Sequence, residues 1–505
     1  MFSVFFASDR SSSGKSMITM AFSNKLKELG YGIEVFKTGP DFLDPIVISK
    51  AVKTEVKNLD PFLIPVKFLN SWVFDGEAGC VRDLNEKKAF IVEGAMGLYD
   101  GNSYRVAKKF KFPVVLVMDS KRISSTMASL IYGLKKYKKG VNVCGVILNN
   151  ISSARHYEII FNEIKKNIKG IEVFGYVLND EETFKVKERH LGLIAPITQN
   201  SEGAIGGFEK IISNIKNEVF RNIDIDLMLR ILKKESKGFN DLFFNYAKRI
   251  KNTQFKTESG SGLLVKKKNN KKVKIAVAYD KAFFFYYNFN FEILKNFGAE
   301  ITFFSPLSDK TMPKGIGAIY IGGGYPEIYA KNLAENRGIM NEIYKFFENN
   351  GIIYAECGGL MYLSKSLTYK SKNWDLLGIL PFGVTMDNTR LSLGYRNVCL
   401  KEKSFMGDAG LRVNGHEFHY SKIITGDQND EGYNQYSYGN HGRASSAGEN
   451  PSAFKNIFEC ESLASPDVLK KDGYNVLNAI GSYVHLSFFS NKLIAKNIID
   501  NAKMI

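Results

Sequence analysis

Two segments in the C-terminal half contain a cysteine and a histidine in settings suited to amide hydrolysis through a thiolate. Cys357 lies in the sequence AECGGL, where an apolar run meets a predicted helix. Small residues after a nucleophile allow a sharp strand-to-helix turn, and a helix N-terminus lowers the pKa of a thiol. A thiolate also needs a base, and His485 ends a later apolar run in GSYVHLSF. We therefore predict that Cys357 and His485 form a catalytic pair; the alternative for Cys357 is a small buried core residue.

Three consecutive glycines lie in GGGYPE (residues 322–327), at the end of another predicted strand. Their backbone N–H groups can face an oxyanion, although the same residues also suit a flexible turn. His416 and His419 in GHEFHYS are further candidates for ligand contact. The remaining cysteines lie in no comparable context, and we expect them to be structural.

A Ser- and Gly-rich segment near the N-terminus has the features of a phosphate-binding loop. The sequence SSSGKS follows a predicted strand and opens a predicted helix. Backbone N–H groups in such a turn cradle phosphate oxygens, the lysine neutralises the terminal phosphates and the next hydroxyl binds Mg²⁺. Ser13, Gly14, Lys15 and Ser16 are therefore the predicted nucleotide-binding residues. Asp9 stands where the common form of this loop has glycine, and the alternative is a helix-capping turn.

Three acidic residues follow the next two predicted strands. Asp41 and Asp44 lie in KTGPDFLDP, and Glu93 lies in VEGAMGLYDG. Since the carboxyl ends of parallel strands meet at one edge of a sheet, we expect these carboxylates and the Ser16 hydroxyl to converge. Such oxygen ligands suit Mg²⁺, so Ser16, Asp41, Asp44 and Glu93 form the predicted metal site. The alternative for Asp44 is that it caps the following helix, and the alternative for Glu93 is a tight turn with an N-capping acid.

These candidates depend on elements that the hydrophobic pattern predicts. In roughly the first 195 residues, short apolar runs alternate with amphipathic stretches, which indicates a parallel sheet with helices on both faces. The predicted strands cover Phe2–Ala7 and residues 33–36, 89–92, 114–118 and 143–148, and the predicted helices cover residues 16–29, 123–137 and 156–168. A second α/β region opens at Val273–Ala278, with further strands at residues 300–304, 318–321 and 352–355 and helices at 291–297 and 341–349.

Changes in composition divide the chain into three predicted parts. Residues 1–198 form an α/β domain with a doubly wound parallel sheet, and residues 273–505 form a second α/β domain. Residues 199–272 contain helical patterns and end in a Ser-, Gly- and Lys-rich run that is typical of a linker. Residues 426–453 are rich in Gly, Asn and Ser and are predicted to be a surface insertion.

Length and composition exclude several classes of protein. The chain has 505 residues, 44% of them hydrophobic and 24% charged, so it is neither wholly disordered nor collagen-like. No apolar run reaches the roughly 18 residues of a membrane span, and no basic leader precedes the first apolar run, so we expect neither a membrane protein nor a secretion signal. Five scattered cysteines without a CxxC pair fit a reducing cytoplasm. The net charge of +17 raises nucleic acid or an acidic substrate as partners, but we expect solvated surface and no binding to nucleic acid or membrane.

Together the motifs resemble those of the cobyrinate a,c-diamide synthase family, which uses ATP and glutamine to amidate a corrin precursor. The matching segments run in family order over nearly the whole chain: SSSGKS, FKTGPDFLDP, VEGAMGLYDG, GVILNN, ERHLGL, YDKAFFFYY, FFSPLSD, GGGYPE, AECGGLMYL, LGYR, GHEFHYS and GSYVHLSF. The resemblance implies an N-terminal P-loop NTPase-like domain similar to dethiobiotin synthetase. It also implies a C-terminal domain similar to the class I glutamine amidotransferases.

The resemblance further implies a reaction. Glutamine would be hydrolysed at Cys357, with His485 raising its nucleophilicity, and ammonia would react with a substrate carboxylate that ATP has phosphorylated. The a and c acetate groups of cobyrinate would become acetamides. The implied ligands are ATP, Mg²⁺, L-glutamine and cobyrinate or a related tetrapyrrole, and a homodimer is left open. Ser487 stands where ordinary class I amidotransferases carry glutamate, so the sequence shows a Cys-His dyad without a third member.

Three alternatives stay open at this point. Ni-sirohydrochlorin a,c-diamide synthase of coenzyme F430 biosynthesis shares these motifs and differs in its tetrapyrrole. A regulatory P-loop ATPase that binds membrane or DNA would account for SSSGKS and the positive charge, but not for Cys357 with His485. A stand-alone thiol hydrolase would leave GPDFLDP without a role.

Overall fold

The computed structural model describes residues 1–75, 87–179, 202–254, 272–424 and 454–504. The chain forms two compact units, residues 1–265 and 266–505. The predicted insertion at 426–453, most of the predicted linker and the ERHLGL motif lie outside the described residues.

The first unit is built on a parallel sheet with the strand order β3-β2-β4-β1-β5-β6-β7. Its strands are β1 (Phe2–Ala7), β2 (Gly32–Thr38), β3 (Val56–Leu59), β4 (Lys88–Glu93), β5 (Pro113–Asp119), β6 (Asn142–Ile151) and β7 (Glu172–Leu178). All six residues of β1 are buried, as expected of a central strand covered on both faces. The order reverses beside β1, so the loop after β1 lies at the position where α/β sheets bind ligands.

Helices connect these strands and continue beyond the last one. They are α1 (Lys15–Glu28), α2 (Leu43–Val52), α3 (Val66–Phe74), α4 (Ser103–Phe110), α5 (Thr126–Lys136), α6 (Ala154–Asn167), α7 (Glu202–Phe220), α8 (Ile225–Glu235) and α9 (Lys237–Gln254). Helices α7 and α8 share a hydrophobic core with β1 and α1, in which Val219, Met228 and Leu232 are fully buried. The ring of Phe239 in α9 stacks on Phe112 at 5.0 Å. The helices between residues 202 and 254 therefore complete the core of the first unit.

The second unit contains a mixed sheet with the order β10-β8-β11-β13-β22-β21-β20-β17-β18-β23. The described strands are β8 (Val273–Ala278), β9 (Phe283–Phe285), β10 (Ala299–Phe304), β11 (Ile316–Ile321), β12 (Gly323–Gly324), β13 (Ile352–Glu356), β14 (Ser364–Tyr369), β15 (Lys372–Asp375), β16 (Leu380–Thr385), β17 (Ser392–Leu400), β18 (Arg412–His419), β19 (Lys422–Ile424), β20 (Lys455–Ser462), β21 (Leu469–Val476), β22 (Ala479–Ser482) and β23 (Val484–Leu486). The first five strands in that order pair in parallel, and the others pair antiparallel. The helices are α10 (Asn288–Asn296), α11 (Ala330–Glu335), α12 (Arg337–Glu348), α13 (Gly358–Leu363) and α14 (Leu493–Ala502), with a 3₁₀ turn at Pro326–Tyr329.

The strands predicted from apolar runs are all present, with bounds that agree to within a few residues. Strands β3, β7, β9 and β12 and the strands from β14 to β23 were not predicted. Strands β16, β17 and β21 alternate buried and exposed positions or are largely exposed, so no continuous apolar run marks them.

Candidate nucleotide and glutaminase sites

Gly14 closes the loop between β1 and α1 in a conformation that favours glycine. Its φ is +96°, and a Cβ atom there would lie 2.3 Å from Asn149 Nδ2. That amide donates a hydrogen bond to the Ser13 carbonyl at 3.0 Å, from the end of β6. Strand β6 therefore anchors the loop directly before α1, and the N-terminus of a helix favours phosphate.

Lys15 is buried inside the loop, although its side chain is charged. Its Nζ donates to Ser8 Oγ at 2.9 Å and to the Arg10 carbonyl at 2.8 Å. Burial, and then the nearby Lys37 ammonium, lower the pKa of Lys15 to about 8. The ammonium is thus held at the loop with neutral partners, so an incoming phosphate would be its strongest electrostatic partner.

The structure brings Ser16, Asp44 and Glu93 together around a lysine that the sequence analysis missed. Ser16 Oγ donates to Glu93 Oε1 at 2.7 Å. Lys37 Nζ contacts the same carboxylate oxygen at 2.6 Å and Asp44 Oδ2 at 2.5 Å. The available signal was a lysine directly after the apolar residues Val35 and Phe36 of β2, since a buried ammonium requires paired anions.

Asp41 lies beside this cluster and is tied to the start of α2. Its Oδ1 accepts from the Leu43 N–H at 2.9 Å and the Asp44 N–H at 3.4 Å. Burial, and then the adjacent Asp44 carboxylate, raise the pKa of Asp41 to about 7. The capping contact that was the alternative for Asp44 is therefore made by Asp41 instead.

These oxygen atoms fit a Mg²⁺ ion that is completed by other ligands. Among the described residues, no set of three or more His, Cys, Asp or Glu side chains is arranged to enclose a metal. Mg²⁺ in nucleotide sites takes one or two carboxylates and fills the remaining positions with phosphate and water. Glu93 Oε2 is buried without a hydrogen-bond partner in the described part of the chain, beside the Ser16 hydroxyl. Its orphaned oxygen and that hydroxyl are suitable donors for such an ion.

An open cavity of about 460 Å³ lies at the carboxyl ends of β5, β6 and β7. Its lining residues are Lys121, Arg122, Ile123, Ser124, Asn150, Ser152, His156 and Asn179. Asp119 joins it to the phosphate loop, because this carboxylate accepts from Asn150 Nδ2 at 2.8 Å and pairs with Arg10 at 2.9 Å. A ligand with phosphates on the loop has room here for its remaining part.

In the second unit, Cys357 lies on a sharp turn between β13 and α13. Its φ is +49° and its ψ is −102°, a strained conformation for a non-glycine residue. The Cys357 N–H donates to the Ser482 carbonyl at 2.7 Å, which anchors the turn to the neighbouring strand. Strain held by surrounding structure at a buried cysteine is the arrangement that a nucleophile elbow requires.

The environment of this thiol differs from the sequence-based expectation. A helix does start directly after Cys357, but burial and then the carboxylate of Glu327 raise the pKa of the thiol. The helix has six residues, and its dipole does not outweigh removal of the thiolate from water. The thiolate would therefore need a proton acceptor nearby.

His485 and the predicted glycine segment meet at this turn. A Cβ atom at Gly323 would lie 2.6 Å from His485 Cε1, and one at Gly358 would lie 3.1 Å from the Gly324 nitrogen. The glycines therefore pack between the imidazole and the start of α13. The Gly322 N–H already donates to the Tyr286 hydroxyl at 2.8 Å, which removes it from the candidate oxyanion donors.

The two histidines of GHEFHYS have different surroundings. Register pairs His416 with His485 across β18 and β23, and burial and then His485 lower the pKa of His416 to about 3. His416 is therefore a neutral neighbour of the candidate base. His419 stacks on Tyr483 at 3.7 Å and contacts Glu417 Oε1 through Nε2 at 2.8 Å.

Glu417 is a further residue of this region that the sequence analysis did not single out. It is buried and accepts hydrogen bonds from Ser392, Arg396, His419 and Lys470 at 2.6 to 2.8 Å. The next residue along the strand, Phe418, places its carbonyl oxygen 3.6 Å from Cys357 Sγ. The hydrogen bonds of Glu417 therefore anchor β18 at the point where its backbone lies beside the Cys357 thiol.

Known proteins match both units. The family model described as the CobQ/CobB/MinD/ParA nucleotide binding domain matches residues 4–194, and that of the CobB/CobQ-like glutamine amidotransferase domain matches residues 274–493. No helix among the described residues is long and apolar enough to cross a membrane. The predicted fold class, a nucleotide-binding α/β domain followed by an amidotransferase-like α/β domain, is confirmed.

Curated relatives match over nearly their whole length. Cobyrinate a,c-diamide synthase of Picrophilus torridus is 33% identical, with 98% of each chain covered. The protein of that name from Clostridium acetobutylicum is 32% identical, with 99% of this chain and 100% of the relative covered. Over both units and nearly every residue, this chain belongs to the cobyrinate a,c-diamide synthase family of glutamine-dependent amidotransferase ligases.

Proposed function

We propose that this chain uses ATP and glutamine to convert the a and c acetate groups of cobyrinate to acetamides in cobalamin biosynthesis. The observation that carries the proposal is the strained Cys357 turn packed against His485 and the glycine segment, in a chain whose other unit has a phosphate loop. An unactivated carboxylate does not react with ammonia at a useful rate in water. One unit must therefore supply activation and the other ammonia.

The second unit carries the glutaminase half-reaction. The Cys357 sulfur attacks the side-chain amide carbon of glutamine while His485 accepts the thiol proton. His485 then returns the proton to the leaving nitrogen, so that ammonia departs and a thioester remains. Water hydrolyses the thioester, which releases glutamate and restores the thiol.

The first unit carries the synthetase half-reaction. Backbone N–H groups of Ser13 and Gly14 and the Lys15 ammonium bind the terminal phosphates of ATP. A substrate carboxylate oxygen attacks the γ-phosphorus, which yields an acyl phosphate and ADP. Ammonia attacks the acyl carbon and phosphate leaves, so an amide forms.

We propose that Mg²⁺ and the nucleoside bind at different parts of the first unit. Ser16 and Glu93, with Asp41 and Asp44 beside them, would hold the ion, which supplies positive charge to the phosphates. The cavity at the ends of β5 to β7 would take the nucleoside. The reaction draws on ATP and glutamine, so we propose the cytoplasm as its compartment.

The test is a mass assay of the purified chain with ATP, Mg²⁺ and glutamine. Cobyrinate and Ni-sirohydrochlorin are offered in parallel, and we expect a mass change of two amidations on cobyrinate. Preference for the nickel compound would move the reaction to the other tetrapyrrole and keep the proposed sites. No amidation of either substrate, with ammonia also supplied, would overturn the proposal.

A further inference from the structure

Glu356 is a buried carboxylate directly before Cys357 in the chain, and no step above uses it. Its Oε2 lies 3.5 Å from His485 Nδ1, and the side chains of both residues are 1% exposed. Among the described residues, His485 is the ion-pair partner of this carboxylate. We propose that Glu356 is the positioning residue for His485 and balances the imidazolium that forms during glutamine hydrolysis; this rests on the proposed function.

Three hydrogen bonds hold the Glu356 carboxylate in place. Its Oε1 accepts from the Tyr354 hydroxyl at 2.7 Å and from the Leu486 N–H at 2.9 Å, and its Oε2 accepts from the Tyr320 hydroxyl at 2.8 Å. Burial, and then Glu356 itself, raise the pKa of both tyrosines, so they remain neutral donors. Because Leu486 follows His485, the same carboxylate also fixes the backbone of the base.

The other groups around His485 do not supply this charge. Ser487, at the position where ordinary class I amidotransferases carry glutamate, is a neutral hydroxyl that accepts from the Ser490 N–H at 3.4 Å. His416 is neutral, as shown above, and the Asp472 carboxylate accepts from Ser482 Oγ at 2.9 Å and the Tyr483 N–H at 3.1 Å. Glu356 thus acts as the third triad member. It precedes the nucleophile Cys357 in the chain, whereas the glutamate of ordinary class I amidotransferases follows the histidine.

The titratable groups that face the pair come from β11, β13 and β18 and from the turns that follow β9 and β13. They are Tyr286, Tyr320, Tyr354 and Cys357 near the carboxylate, with His416 near the imidazole. All of these are neutral at pH 7 by the directions of their pKa shifts. The carboxylates of Glu327 and Glu417 also act on Cys357, but among the described residues Glu356 is the one paired with His485, so Glu356→Gln removes the charge from this pair.

The experiment compares Glu356→Gln, Glu356→Asp and Tyr354→Phe with the wild-type chain. Tyr354→Phe is the matched control, since it removes one donor to the same carboxylate and leaves the charge. For Glu356→Gln we expect kcat for glutamine hydrolysis to fall about 10²-fold, with KM within about threefold and ammonia-dependent amidation unchanged. Glu356→Asp should recover part of the loss, and Tyr354→Phe should lose much less.

A second readout follows alkylation of Cys357 by iodoacetamide against pH, resolved by peptide mass spectrometry. The pH at which the alkylation rate is half-maximal should rise by at least about one pH unit in Glu356→Gln. It should stay unchanged in Tyr354→Phe, because only Glu356→Gln destabilises the thiolate–imidazolium pair. An unchanged midpoint, or equal losses in Glu356→Gln and Tyr354→Phe, would overturn the inference. A wild-type chain that releases no glutamate would overturn the proposed function, while the alkylation profiles would still decide the role of Glu356.

Discussion

Lys37 Nζ lies 2.6 Å from Glu93 Oε1, and the two side chains are 4% and 1% exposed. Burial alone would lower the pKa of Lys37, but Glu93, Asp44 and Asp41 outweigh it and raise the pKa. The pair joins β2 to β4 at the carboxyl edge of the first sheet, with Ser16 on the same carboxylate oxygen. The candidate metal ligands are therefore held by an ion pair in the core of the unit.

Replacing Lys37 by Met should destabilise the first unit by about 3–5 kcal/mol, because two carboxylates lose their counterion in a buried setting. Urea unfolding followed by Trp72 fluorescence measures this, in a Trp374→Phe background that silences the second tryptophan. The control is Lys53→Met, whose pair with Glu209 is exposed and worth about 0–1 kcal/mol. Equal losses in the two variants would contradict the prediction.

Gly14→Ala should weaken ATP binding by at least about tenfold, because an L-residue in the left-handed region costs about 1–2 kcal/mol before any clash with Asn149 is added. Isothermal calorimetry with ATP and Mg²⁺ gives the dissociation constant. Gly30→Ala is the matched control, with φ +77° and no atom within 4 Å of the new Cβ. Glutaminase activity should be unchanged in both. If Gly14→Ala bound ATP with wild-type affinity, the loop would not be part of the nucleotide site.

ATP affinity should fall as pH rises through about 8, where free Lys15 loses its proton. The sign follows from the lowered pKa: the ammonium is present below that value, and above it each binding event takes up a proton. The dissociation constant should rise by up to about tenfold per pH unit above pH 8. Calorimetry between pH 7.5 and 9.5, in two buffers of different ionisation enthalpy, measures the proton uptake. Lys15→Gln should bind weakly with a flat profile; a flat wild-type profile would contradict the prediction.

Cys357→Ala should lower glutamine-dependent amidation by roughly 10⁴-fold or more, since it removes the nucleophile. Amidation with ammonium chloride as the nitrogen source should continue near the wild-type rate, because activation occurs in the first unit. Cys460→Ala, which also removes a buried thiol, is the control and should keep both activities. Retained glutamine dependence in Cys357→Ala would place the glutaminase elsewhere.

The sequence determined the residue types and their order along the sheet edges. SSSGKS and KTGPDFLDP follow apolar runs of the first unit, and parallel strands bring their carboxyl ends to one edge of its sheet. AECGGL follows an apolar run of the second unit. This was sufficient to place Ser16, Asp44 and Glu93 together and to put Cys357 on a turn before a helix. The roles of these residues in catalysis and binding stay predictions.

Tertiary structure decided which groups balance which charges. The Lys37–Glu93 pair joins different strands, and the contact of Glu356 with His485 joins residues far apart in the chain, so the spacing within one motif does not predict either pairing. The raised pKa of Cys357 likewise depends on burial and on Glu327 from another turn. Electrostatic free energies depend on distance and desolvation, and both are properties of the packed chain rather than of its local pattern.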